Sequence, residues 1–208
     1  MNNPFVLYGK PGTGSLVVQV ALEELGAAYQ REWVGSEPDD AARFLSVNPT
    51  GKVPALKLPD GTVIFESAAM LIHLASLDGA KLAPRPGTPL HAVFLQWMVF
   101  LSANVYESAL RLFYSARYSS RGEADAAAIA AQASKEYAAQ LSFIGRVLDP
   151  YVLGTEYSVA DAYLYMLVSW LPEKQELFAR VPALAAHAER VSGRAAVKKV
   201  EEDHAKHA

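Results

Sequence analysis

The stretch from Asn48 to Leu77 constrains this chain more tightly than any other, because it dictates a bend, a hairpin and a helix start in immediate succession. Asn48-Pro49-Thr50-Gly51 is turn-forming, and Val53-Pro54 then sets a proline directly before a short apolar run. Proline lacks the N–H that a central ladder needs, so the position suits a sheet edge or a cis turn. Asp60-Gly61 between two apolar runs predicts a hairpin, and Glu66-Ser67 puts a carboxylate and a hydroxyl at the positive start of an amphipathic helix. A proline-bent backbone thus comes close to a helix N-terminus with free donors. Such a corner suits an extended peptide with a charged amino-acid end.

The segment Asn48-Pro49-Thr50-Gly51-Lys52-Val53-Pro54-Ala55-Leu56, followed ten residues later by Glu66-Ser67, resembles the glutathione-site half of the glutathione S-transferases. The remainder of the chain agrees with that resemblance end to end. It implies a cis bond before Pro54, with the Val53 backbone N–H and C=O pairing with the cysteinyl part of glutathione as an added strand would. Glu66 and Ser67 match the pair that holds the γ-glutamyl amine and carboxylate. Independently of the resemblance, a serine with helix N-terminal amides can receive a carboxylate, and a glutamate can receive an ammonium.

Composition narrows the chemistry. A chain of 208 residues with 51% hydrophobic and 20% charged side chains can bury a core in one or two domains. A formal net charge of -3 gives no sign of nucleic acid or an anionic membrane as partner. The apolar stretches are interrupted short of a membrane span and no basic-then-apolar leader opens the chain, so the expected location is the cytoplasm. There is no cysteine. Disulfides, thiolate-ligated metals and the cysteine-nucleophile branches of the family are thereby excluded, and any thiol chemistry belongs to the ligand.

Taken in order, Phe5 to Tyr8 reads as a buried strand and Gly9-Lys10-Pro11-Gly12-Thr13-Gly14 as a loop. Ser15 is the expected N-cap of a helix that turns Leu16, Val20 and Leu22 or Leu25 inward and stops at Gly26. A strand from Tyr29 to Val34 completes a βαβ unit of about 30 residues. Ser36-Glu37-Pro38-Asp39 opens a short helix, the hairpin strands run over Ala55 to Leu58 and Thr62 to Phe65, and a helix extends from Glu66 to about Ser76. The breaker cluster from Leu77 to Pro89 is the expected boundary. Beyond it the periodicity predicts helices over His91 to Tyr118, Ala124 to Leu148, Ser158 to Trp170, Pro182 to Ser192 and Arg194 to Glu202, with a frayed tail from Glu201. Ser158 with Asp161 forms a capping-box variant, a structural feature matching the family's fold-nucleating segment. The expected organisation is α/β followed by all-α: a thioredoxin-like glutathione-binding domain over 1–77, a linker over 78–89, and an all-helical domain over 90–208.

If the ligand is glutathione, the protein's task is to keep its sulfur ionised, since a free thiol with a pKa of about 8.5 is mostly protonated at neutral pH. Lowering that pKa by about 2 units requires about 2.7 kcal/mol of preferential anion stabilisation. Ser15, at the first helix start, and Tyr8, at the end of the first strand, are the competing catalytic hydroxyls, with Ser15 favoured. Thr13 or the loop amides are further candidates; in the cysteine-using bacterial relatives the thiol would fall at Gly14. Lys52 is a candidate for a glutathione carboxylate. By resemblance, Asn104, Tyr106, Arg111 and Tyr114 belong to an apolar electrophile pocket, and the protein is a homodimer. Glutathione is the expected co-substrate and no metal is expected; His204 and His207 lack a carboxylate or thiol framework. The resulting expectation is conjugation of glutathione to a small hydrophobic electrophile, or reduction of an organic peroxide by the same thiolate. The alternative is a non-catalytic glutathione- or ligand-binding module.

Overall fold

The structure, a computed structural model, describes residues 3–77, 79 and 81–207. Asp78, which opens the expected linker, and Ala208, which closes the expected helical domain, lie outside the described residues, as do Met1, Asn2 and Ala80. The chain divides into two compact units, Met1–Ala83 with Gly193–Ala208, and Pro84–Ser192.

The first unit begins with β1 (Phe5–Gly9), α1 (Ser15–Glu24) and β2 (Tyr29–Trp33), in which β1 and β2 pair parallel. Then come α2 (Pro38–Val47), β3 (Ala55–Lys57), β4 (Val63–Phe65) and α3 (Ser67–Ala75). The four strands lie in the order β2-β1-β3-β4, with β3 antiparallel to both its neighbours. This is the expected thioredoxin-like arrangement. The hairpin turn forms where Asp60-Gly61 predicts it: Thr62 N donates to Asp60 Oδ1 at 2.8 Å and Gly61 adopts φ 94°. Helix α1 is buried more completely than its expected stripe, with Val17, Val18, Val20, Ala21 and Leu22 enclosed while Leu16 and Leu25 stay half-exposed. A helix apolar on several sides is one packed on several sides; here the neighbours are β1, α3 and a C-terminal helix.

That C-terminal helix, the last of the chain, spans Ala195–Ala205 and corrects the expectation of a frayed tail. It buries Val197, Val200 and His204, and polar ties hold it to α1, among them His204 Nε2 to Gln19 Oε1 (3.1 Å). Arg194 donates twice to Glu24 (2.5 and 2.9 Å), Lys199 to Glu23 (2.8 Å), and Gln19 Nε2 to Asp203 (2.7 Å).

The second unit is helical. Its first helix, α4 (Pro89–Phe100), is capped by Thr88, whose hydroxyl accepts from His91 N at 3.2 Å. It continues through a wide π-type turn, Leu101–Tyr106, into α5 (Glu107–Phe113) and a short tight turn, Ser115–Tyr118. The inward face is Phe94, Trp97, Met98, Leu101, Val105 and Ala109, whereas Val93 is exposed. Next come α6 (Glu123–Gly145), α7 (Val159–Trp170), α8 (Lys174–Arg180) and α9 (Pro182–Ser192). Helix α7 carries the core, with Tyr137 of α6 donating its hydroxyl to the Leu167 carbonyl. The Ser158–Asp161 capping box is present, and Asp161 does more than cap. Fully buried, it accepts from Ser158 N (2.8 Å), Ser158 Oγ (3.0 Å) and Val152 N (2.8 Å), and pairs with His187 Nε2 (3.0 Å). Number the final helix, Ala195–Ala205 of the first unit, α10.

Candidate functional site

Strand register brings the sequence-predicted residues of the first unit to one edge of the sheet. Tyr8 stands opposite Ala55, and Ala55 opposite Phe65. One step further along, Gly9, Pro54 and Glu66 fall at the ends of β1, β3 and β4 on the same side. With strands about 4.8 Å apart, the row from Gly9 to Glu66 spans about 10 Å, roughly the length of an extended tripeptide.

The Val53–Pro54 bond is cis. Its approach is pinned by Asn48, which is buried: Nδ2 donates to the Lys52 carbonyl (2.7 Å), and Oδ1 accepts from Thr50 N (3.1 Å) and Thr50 Oγ1 (3.0 Å). Gly51 completes the turn at φ 65°. The outcome is a half-exposed Val53 beside a buried Pro54, with Lys52 out in solvent.

Glu66 is held at φ 70°, ψ 109° as the N-cap of α3. A non-glycine residue in this region carries about 1–3 kcal/mol of strain, and such residues cluster at ligand clamps. The kink leaves the Glu66 carboxylate exposed while Ser67 is enclosed at the first position of the helix. Cation and anion acceptors therefore sit side by side, because the α3 N-terminus favours negative charge and Glu66 favours positive charge.

The hydroxyls of the first loop are arranged differently from the sequence expectation. The N-cap of α1 is Gly14, and Ser15 is the first helical residue, only 1% exposed. Ser15 Oγ donates to the Lys10 carbonyl at 2.9 Å, Thr13 Oγ1 lies 2.8 Å from that same carbonyl, and the two hydroxyl oxygens are 3.0 Å apart. A Cβ on Gly9 would stand 2.4 Å from the Ser15 Cβ, so glycine is required where β1 passes the start of α1. Thr13 is half-exposed. Tyr8 projects from the sheet face that also carries Glu32, its ring 6.1 Å from that of Phe44 in α2. Burial first, and the Glu32 carboxylate second, push its phenol above the usual range, so it stays a protonated donor.

In the second unit, the π-type turn exposes Asn104 and places the Tyr106 ring against Trp170 (5.3 Å) and Tyr163 (6.3 Å) of α7. Arg111 faces α6 instead, with Glu136 at 3.4 Å and Glu107 at 3.8 Å, on the wall of a cavity of about 560 Å³. Tyr114 is exposed beneath the Arg117 guanidinium, 4.2 Å from the ring centroid. The structure therefore groups Tyr106 with α7 but sends Arg111 to a different surface of the unit. Among the described residues no group of three or more His, Asp or Glu side chains could hold a metal ion.

Comparison with known proteins bears directly on this arrangement. The chain matches the glutathione S-transferase N-terminal domain over residues 15–77 and the glutathione S-transferase C-terminal domain over residues 109–204. It is 30% identical to glutathione S-transferase 3 of Zea mays over 217 residues, covering 94% of this chain and 92% of the relative. The chain belongs to the glutathione S-transferase family. Similarity to another member, glutathione S-transferase GstA of Escherichia coli, is 26% over 171 residues, 79% of this chain and 81% of that one. A glutathione transferase homologue from Sulfitobacter, solved with bound glutathione, superposes with a TM-score of 0.87 at 29% identity, covering 98% of this chain and 99% of that one.

Two residues of this glutathione S-transferase escaped the sequence reading of the site. Asn48 counted only as a turn former, although an asparagine opening a turn readily accepts from the backbone N–H two residues on, as it does here from Thr50 N. Gly9 carried no signal, because its requirement comes from Ser15, six positions on and in another element.

Proposed function

We propose that this family member binds glutathione along the edge formed by Gly9, Pro54 and Glu66 and transfers its sulfur to a small hydrophobic electrophile. The observation that carries the reading is the strand register, which aligns the cis Val53–Pro54 bend with the strained Glu66 and the start of α3. The Sulfitobacter homologue, crystallised with glutathione, supports the same ligand. In this reading the Val53 backbone pairs with the cysteinyl residue, Glu66 takes the γ-glutamyl ammonium, and Ser67 with the α3 amides takes the carboxylate. Lys52 approaches the glycyl carboxylate. The sulfur lies toward the hydroxyl-bearing segment from Tyr8 to Ser15, where the α1 N-terminus favours an anion.

Stabilised as thiolate, the sulfur attacks an electrophilic carbon and displaces its leaving group as an anion, or attacks an oxygen of an organic peroxide, cleaving the O–O bond to release an alcohol and leave a glutathione sulfenic acid that a second glutathione converts to the disulfide and water, with proximity supplying much of the acceleration. Asn104 and Tyr106 on the wide turn are assigned to the electrophile. Arg111 is already engaged by two carboxylates, and Tyr114 by Arg117. The cytoplasm, where thiols stay reduced, is the proposed location; no helix among the described residues is long and apolar enough to cross a membrane.

A homodimer is also proposed. Leu90 and Val93 on α4, Phe143 on α6 and Val147 just beyond its end are exposed, and the rings of Trp97, Phe100 and Phe143 cluster within 5.9 Å of one another. An exposed apolar patch of this kind marks an interaction surface.

Calorimetric titration with glutathione followed by turnover of an aryl halide tests the reading. Binding with turnover supports it. Binding without turnover across a broad electrophile panel favours a carrier, a reading to which the enclosure of Ser15 lends weight, and absence of binding overturns both.

A further inference from the structure

We propose that Thr13, not Ser15 or Tyr8, donates the hydrogen bond that holds the ligand's sulfur as a thiolate, with Ser15 acting as its positioning residue. This rests on the glutathione-binding reading above and assigns a role within it.

The argument is a count of protons against acceptors. Thr13 Oγ1, Ser15 Oγ and the Lys10 carbonyl form a closed triangle with sides of 2.8, 2.9 and 3.0 Å. Both hydroxyls donate to the carbonyl, whose two lone pairs accept them, and it keeps a donor if either proton turns away. One O–H is therefore free to turn elsewhere without leaving a buried acceptor unpaired. It cannot be that of Ser15, which is 1% exposed and walled in by Gly9. Thr13 is half-exposed, and its oxygen accepts from Ser15 N at 3.4 Å. That contact from the first amide of α1 draws electron density from the hydroxyl and makes it a better donor to an anion. With Ser15 Oγ committed to Lys10, the Thr13 proton is the one available for a sulfur.

Tyr8 is less suited. Its hydroxyl shares a sheet face with the Glu32 carboxylate, whose field opposes an adjacent thiolate. Its ring is also packed beside Phe44 in α2.

The test measures the thiol pKa of bound glutathione, from ultraviolet thiolate absorbance and from the pH profile of kcat/KM, in the full chain and in Thr13→Val, Thr13→Ser, Ser15→Ala and Tyr8→Phe. The expected result is that Thr13→Val raises that pKa toward the free-thiol value and lowers kcat/KM by about 10–100-fold near neutral pH, as loss of one bond to a charged acceptor predicts. Glutathione affinity at a pH where the thiol is protonated stays unchanged in that variant, and Thr13→Ser retains the wild-type profile. Ser15→Ala raises the pKa by a smaller amount, and Tyr8→Phe leaves it in place. A Thr13→Val protein that binds glutathione with an unshifted thiol pKa overturns the assignment while leaving the binding reading intact. So does a larger shift in Ser15→Ala or Tyr8→Phe than in Thr13→Val. A wild-type chain that binds no glutathione overturns both.

Discussion

At the scale of single residues, strain and burial distinguish the side chains that serve the site from those that serve the fold. Glu66 is held at positive φ yet keeps its carboxylate in solvent, an arrangement that costs stability and fits the proposed ligand clamp. Glu66→Gln is expected to raise the KM for glutathione about tenfold, the effect of weakening one charge-assisted bond at an exposed position, with an unchanged melting temperature. His204 illustrates the opposite case. Its Nε2 lies 3.1 Å from Gln19 Oε1, and since the Gln19 amide nitrogen already donates to Asp203 and Tyr29, the histidine is the donor. Burial first, then Arg31 and His207, hold its pKa down to about 4 from 6.5. The unfolded chain therefore takes up the proton first on acidification. Stability contributed by neutral His204 is complete above about pH 6.5 and erodes as pH falls toward about 4. Urea midpoints measured across that window should decline in the wild type and decline less in His204→Gln.

At the scale of elements, caps and turns were legible because their chemistry is local. The Asp60-Gly61 hairpin, the Ser158–Asp161 box and the two strands flanking α1 all depend on residues within a few positions of one another. Helix α8 was not anticipated: its seven residues carry their apolar side chains in the single run Leu177-Phe178-Ala179, too short to show a period. The tail from Glu201 was expected to fray because of its charges, but Asp203 and His204 find a partner in Gln19 of α1 that no local pattern could supply. Likewise, one long helix over His91 to Tyr118 was foreseen without its π-type turn at Leu101–Tyr106. The strongest element-scale prediction concerns Asp161, which serves the α7 cap, the loop before it and His187 of α9 at once. Asp161→Ala should cost about 3–5 kcal/mol in chemical denaturation, because it strands several buried donors. Ser158→Ala should cost only about 1–2 kcal/mol.

At the scale of the whole molecule, the two-unit division and the exposed rings bear on assembly. Phe143 is 48% exposed yet packs edge-on against Phe100 and tilted against the buried Trp97, so an ordered ring is left uncovered. Phe143→Glu should convert the proposed dimer to a monomer in sedimentation experiments and leave the helical circular dichroism signal unchanged, since the ring lies outside the buried core of its unit; a wild-type chain that sediments as a monomer overturns the dimer.

The bend, the hairpin, the helix start at Ser67 and the family itself were determined by the sequence alone, because each rests on short-range backbone chemistry of proline, glycine, asparagine and capping residues. Which hydroxyl of the first loop is enclosed, which apolar face of α4 turns inward, and where the last helix docks were decided only in three dimensions. Burial is set by whatever element arrives from elsewhere in the chain: Gly9 of β1 against Ser15, α7 against the wide turn at Tyr106, α1 against Arg194 and Lys199.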